Sequence, residues 1–202
     1  MKRFMLSLAV AVCASAAAHG PLFCQTSEAD QASPEQVLTR ADREFASDSY
    51  KSAEMLYRKV LAAQPGNTHA LSRLALLLTW KGDYKEAITL YNDALAIEPS
   101  HFDARRGLAT AYCWSEQYPK ALRVYKDLLA ERPGDDGLLL EKAQAEAWSG
   151  DLKTAGKTLD DLLGHNPRHV KGRLLQGQVR LWSGNLTEAE SIFRSVIADG
   201  PP

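Results

Sequence analysis

From residue 71 onward, apolar and polar side chains alternate with the period of a helix. Leu71, Leu74, Ala75 and Leu78 fall at i, i+3, i+4 and i+7, which lines them up as one apolar stripe. Trp80-Lys81-Gly82-Asp83 interrupts the pattern: Gly82 suits a helix end and Asp83 the cap of a following helix. Tyr84, Ala87, Ile88, Tyr91, Ala94 and Leu95 resume helical spacing until Pro99 stops it. The pattern predicts two amphipathic helices, A and B, joined by a tight turn. The same punctuation returns at Gly150-Asp151 and Gly184-Asn185. Ser33-Pro34-Glu35-Gln36 opens the first pair with a cap, a proline at the first helical position and a Gln able to close a capping box.

The pair recurs every 34 residues. Pro65, Pro99, Pro133, Pro167 and Pro201 keep that interval, and so do Ala53, Ala87, Ala121, Ala155 and Ala189. Tyr57, Tyr91, Tyr125, Leu159 and Phe193 form a third column, and Tyr50, Tyr84, Tyr118, Leu152 and Leu186 a fourth. Five units are therefore expected, over 34–67, 68–101, 102–135, 136–169 and 170–202. A lone pair cannot bury both of its stripes, so successive pairs must stack into an all-α solenoid. The alanine column marks where A and B approach too closely for a larger side chain.

This pattern resembles the tetratricopeptide repeat (TPR) family. The small residue of helix A is Ala41, Ala75, Ala109, Ala143 or Gly177, the turn carries Gly82, Gly150 and Gly184, and the four columns follow. Asp48 and Glu116 replace the turn glycine in two units, and Lys142 and Gln176 occupy a place that is apolar in the family. The resemblance covers 34–202 and implies a right-handed superhelix whose concave face, lined by the A helices, holds a partner. Trp-Ser-Gly-Asp, Trp-Lys-Gly-Asp-Tyr and Asp103-Ala104-Arg105-Arg106-Gly107-Leu108-Ala109 are also similar to periplasmic repeat modules that precede outer-membrane β-barrels in polysaccharide-export proteins. That second likeness rests on short phrases, and no barrel follows in this sequence.

All four tryptophans obey the period, as Trp80, Trp114, Trp148 and Trp182. At about 100° per residue, Trp80 lies opposite the Leu71/Leu74/Ala75/Leu78 stripe, toward the concave side or the seam between neighbouring A helices. The same face carries His69, Ser72, Asp103, Arg106, Thr110, Gln144, Lys171 and Gln178, a mixed and mostly uncharged set. Two readings stay open for the indoles. They lock the repeat geometry, which repetition in every unit favours, or they form a ladder of platforms for a peptide or for sugar rings.

The first residues read as an address. Met1-Lys2-Arg3, the apolar run from Phe4 to Val12 and the small residues through Ala18 have the order of a secretory signal, with cleavage expected after Ala18 or, alternatively, later near Cys24. The run is too short for a membrane span. Pro21 and Phe23 do not fit a lipidation box before Cys24, and the polar stretch 19–33 reads as a flexible lead-in. Cys24 and Cys113 would share a disulfide-permissive compartment. A secreted, periplasmic protein is therefore expected.

Composition narrows the function further. With 24 Lys+Arg against 25 Asp+Glu in 202 residues, the chain lacks the cationic excess that gripping nucleic acid needs. His165 and His169 are separated by Pro167, which breaks the helix a zinc pair would need, and solvated loop histidines are expected. Carboxylates fall on solvent faces and at caps, no phosphate-cradling loop or nucleophile elbow occurs, and Cys113 reads as an inert semi-buried thiol. No enzyme, metal or cofactor is expected. The expected function is a scaffold holding a protein or peptide partner in the cell envelope, or alternatively a glycan-binding module in polysaccharide export. Phe193, Val196 and Ile197, on the last helix, are expected to dock on another component or on a second copy as a homodimer.

Overall fold

The structure, a computed structural model, describes residues 32–199, which form ten helices and, among the described residues, no strand. The signal-like segment, Cys24 and most of the lead-in lie outside the described residues. The helices are α1 (Pro34–Ala46), α2 (Tyr50–Ala63), α3 (Thr68–Lys81), α4 (Tyr84–Ile97), α5 (Phe102–Trp114), α6 (Tyr118–Glu131), α7 (Asp136–Trp148), α8 (Leu152–His165), α9 (Val170–Trp182) and α10 (Leu186–Ala198). Odd-numbered helices are the A helices and even-numbered ones the B helices. Each packs on the next in sequence, and the contacts that skip a helix run between A helices, α3 on α5 and α7 on α9. The A helices thus form the inner, concave layer.

Local chemistry sets the unit. Every A helix starts at a side-chain cap: Ser33, Asn67, His101, Asp135 and His169 each accept a bond from the backbone N–H three residues on. Ser33 and Gln36 complete the capping box. Every A–B turn passes through the left-handed region, at Asp48, Gly82, Glu116, Gly150 and Gly184. Asp48 and Glu116 hold φ of 60° and 61° without being glycine, a conformation that costs each about 1 kcal/mol. The geometry of the turn therefore survives the sequence departures. Asp83 sits at the N-cap of α4 as expected, but its side chain makes no cap bond and lies 3.3 Å from Lys81 instead. Asp151 does cap α8, accepting from the Thr154 N–H.

Between A and B the chain is close-packed. Ala41, Ala53, Ala75, Ala87, Ala109, Ala121, Ala143 and Ala155 are fully buried, and Tyr57, Tyr91 and Tyr125 lie with them in the first three units. In the fifth unit Gly177 stands in the small-residue column because the Phe193 ring occupies the space. A Cβ at Gly177 would come within 2.5 Å of Phe193 Cε1. Phe193 thus contributes to the core of its own unit and is half-buried. Val196 is also half-buried, and Ile197 is left 78% exposed.

The two ends differ. On α3 the positions facing the previous unit are the buried Ala70, Leu74 and Leu77, whereas their counterparts on α1 are the exposed Gln36, Arg40 and Arg43. The first unit so carries a polar cap.

Lys142, in its apolar place, finds company rather than a void. Its Nζ lies 2.6 Å from Glu146 Oε1 and donates to Thr158 Oγ1 at 2.9 Å, while the Thr158 hydroxyl donates to Glu146 Oε2 at 2.7 Å. Glu146 is 4% exposed, an exception to the expectation that carboxylates lie on solvent faces. Gln176 likewise turns to Asp160 at 3.1 Å. Removing one partner of a buried pair strands the other. We expect Lys142→Met to lower unfolding stability by about 3 kcal/mol. Lys142→Leu combined with Glu146→Leu and Thr158→Val is expected to restore it to within about 1 kcal/mol of the parent. Denaturant titration followed by circular dichroism measures both.

Candidate functional site: a hollow on the inner face

A cavity of about 380 Å³ opens between the A helices of units two to four. His69, Ser72 and Arg73 of α3, Asp103, Arg106 and Thr110 of α5, and Glu141 of α7 line it, with Tyr91 reaching in from α4. Gly107 makes room for the Tyr91 side chain, since a Cβ there would collide with its hydroxyl oxygen. Arg106 crosses from α5 to α7, its Nε 3.0 Å from both carboxylate oxygens of Glu141. His69 Nε2 lies 2.8 Å from Asp42 Oδ1, which also accepts from the Tyr57 hydroxyl at 2.7 Å. Thr110 Oγ1 is 3.3 Å from the Tyr125 hydroxyl.

Two other polar groups in the hollow, Ser72 and Arg73, have no hydrogen-bond or ion-pair partner among the described residues. Ser72 is only 9% exposed, yet its hydroxyl makes no hydrogen bond. Thr79 and Thr110 bond back to the carbonyl four residues earlier, the usual outlet for a helical hydroxyl, and Ser72 does not. An orphaned buried hydroxyl costs about 1–3 kcal/mol. The Arg73 guanidinium lies over the Phe45 ring at 4.9 Å and makes no ion pair among the described residues.

The indoles sit elsewhere. Trp80 stacks on Phe45, with ring centroids 5.7 Å apart, and meets Tyr50 edge-on at 5.3 Å, so it bridges the seam between units one and two. It lines a second hollow of about 600 Å³ with Tyr50, Lys51, Glu54, Met55, Leu77 and Lys81. Trp80, Trp114, Trp148 and Trp182 are all 40–49% exposed.

The tetratricopeptide repeat family model matches residues 44–92, 81–136 and 114–176. The chain belongs to the tetratricopeptide repeat family. Solved TPR structures superpose on it closely. MamA residues 41-end from Desulfovibrio magneticus RS-1 gives a TM-score of 0.73 at 19% identity, covering 82% of this chain and 93% of that one. The thermophilic TPR protein TTC0263 from Thermus thermophilus gives 0.66 at 21% identity, over 84% and 92%. YrrB, described as a TPR protein with an unusual peptide-binding site, gives 0.66 at 19% identity, over 86% and 90%. At these identities the likeness is one of fold. No curated protein matches the sequence.

On this TPR scaffold, the residues picked from sequence fall in different places. Arg106 and Thr110 line the inner hollow. Gln144 and Gln178 follow Thr110 at one and two repeat intervals, half-buried on α7 and exposed on α9, and Lys171 is exposed near the start of α9. The face expected to be mostly uncharged is charged in units two to four, because Arg73 and Glu141 join it. Both stand in one 34-residue column with Gly107, a signal present in the sequence but not one that an apolar period brings out. The expectation of solvated histidines also changes: the His101 and His169 rings cap helices and His69 pairs with Asp42.

Cys113 is a free, buried thiol, and burial pushes its pKa from 9.0 up to about 12. Burial likewise raises Tyr91 and Tyr125 above the ordinary phenol value of 10.0. On unfolding these groups ionise at their ordinary values, so the unfolded state sheds protons first. Their contribution is intact below pH 9 and is lost as pH rises above it. We expect folding stability to fall by about 1 kcal/mol by pH 10 from the thiol alone, and further beyond it. Thermal midpoints between pH 7 and 11 check this, and Cys113 should resist iodoacetamide at pH 8 until the protein unfolds.

Proposed function

We propose that this TPR protein is a non-enzymatic scaffold of the bacterial cell envelope that holds a peptide segment of a partner along its inner groove. The TPR fold supports a protein-binding role. The observation that carries the groove reading is its change of character along the solenoid. Units two to four present the charged hollow, whereas α9 presents Leu174 and Leu181, 38% and 46% exposed, with Gln178 between them on the same stripe. Leu174 stands two repeats from Arg106 and Leu181 three repeats from Thr79, both lining residues of the hollow, so the stripe continues the inner face. Exposed apolar side chains along a concave face suit side-chain anchors of a bound segment.

Arg106 is a poor probe of this groove. Its bond to Glu141 ties α5 to α7, so its removal disturbs the packing of the helices as well as the groove. Leu174→Glu with Leu181→Glu is the better variant. Peptides selected from a random library against the full chain are expected to bind this variant at least tenfold more weakly. Ile97→Glu, on outer helix α4 at a site 54% exposed, should leave affinity within twofold. Unchanged affinity in the double variant would overturn the groove reading.

The envelope assignment rests on the order of residues 1–18, a basic start, an apolar run and small residues. Expression in a Gram-negative host should yield a periplasmic product beginning at His19 by mass spectrometry. A cytoplasmic product retaining residues 1–18 would refute it. A second reading, glycan binding in polysaccharide export, draws support from the half-exposed indoles and from the aromatic wall of the Trp80 hollow. Ile197 and Val196, on a side of α10 that no described helix covers fully, are the surface we assign to a second copy or another envelope component.

A further inference from the structure

The hollow contains two opposite charges that no described residue pairs. Arg73 and Asp103 both line it, and neither has an ion-pair partner among the described residues. They act on the Tyr91 hydroxyl in opposite senses, so both lie within electrostatic reach of it. Arg106 is paired with Glu141, and Asp42 is in hydrogen-bond contact with His69 and Tyr57. Beside Arg73 in sequence, the buried Ser72 hydroxyl is shielded from water and gains no hydrogen bond from any described residue. We propose that this hollow binds a dipolar peptide group, with a carboxylate held by the Arg73 guanidinium and the Ser72 hydroxyl, and a cationic group of the same ligand set against Asp103.

The chemistry selects among ligands. The contact with Phe45 is to the ring and engages no hydrogen-bond acceptor, so the guanidinium keeps N–H donors for a planar carboxylate. Asp103 stands in the same hollow as that cation, so a multiply charged anion such as phosphate, with no cation of its own, meets repulsion there. A ligand that brings its own cation meets Asp103 instead. About 380 Å³ accommodates one or two residues, at the small end of ligand sites. Gly107 and the Tyr91 hydroxyl form the floor. The inference rests on the peptide-groove reading and names the chemistry of its charged half.

The test uses the full chain, with NMR titration of the Ser72 and Arg73 signals. Acetyl-Gly-Glu-Lys-Gly-amide supplies the dipole from side chains, unblocked Gly-Gly supplies it from chain termini, and acetyl-Gly-Glu-Gly-amide and inorganic phosphate supply an anion alone. At least one dipolar probe should shift these signals and bind at least tenfold more tightly than either anion, and which one does identifies the source. Arg73→Gln and Asp103→Asn should each weaken that binding at least tenfold. Ser72→Ala should weaken it several-fold while leaving the thermal midpoint unchanged or higher, a combination that a purely structural serine would not give. Anion-only probes binding as tightly as dipolar ones, or neither dipolar probe shifting Ser72 and Arg73, would overturn the proposal. In that case library-selected peptides that still need Leu174 and Leu181 would leave the groove reading standing.

Discussion

The structure depends on one close approach, that of helix A to helix B at the alanine columns. With Ala75 and Ala87 fully buried, the two backbones come near enough for Tyr91 to fill the remaining space. That contact buries one stripe of each helix and leaves a second stripe on each, which only a neighbouring pair can cover. Stacking is therefore imposed rather than optional. The left-handed turn serves this approach by reversing the chain within two or three residues. Asp48 and Glu116 accept an unfavourable φ because the packing on either side leaves them no other.

The inner layer inherits its chemistry from the same constraint. Once the apolar stripe of an A helix faces its B helix and its neighbours, positions such as 73, 107 and 141 are committed to the groove. Whatever stands in that column becomes groove lining: a guanidinium, a hydrogen and a carboxylate. The fold fixes the place and leaves the residue free, which is how one architecture presents a charged hollow in its middle units and an apolar stripe in its last. The Lys142–Glu146–Thr158 triangle shows the converse. There a polar residue entered a packing column, and two further polar side chains moved in to satisfy it.

Much of this was legible beforehand. The interval of 34, the Ser33 capping box, the turn at Gly82 and the buried alanines follow from backbone sterics and hydrophobic period, which are local and act alike in every unit. The placing of Trp80 away from the A–B core also follows from helical geometry alone.

Other features were decided by tertiary structure. The sequence cannot say that Arg106 spends its guanidinium on Glu141 while Arg73 lies over Phe45 and finds no ion pair among the described residues, because those residues lie in different units and meet only when helices stack. Nor can it say that Ser72 has no partner, since a hydroxyl's satisfaction depends on every neighbour that packing brings near it. Phe193 likewise reads as an exposed end residue in its column, and only the space left by Gly177 draws its ring inward. Periodic, short-range physics thus determined the scaffold from the chain alone, whereas the pairing of charges and the filling of space along the groove required the stacked helices, because both are properties of contacts between distant residues.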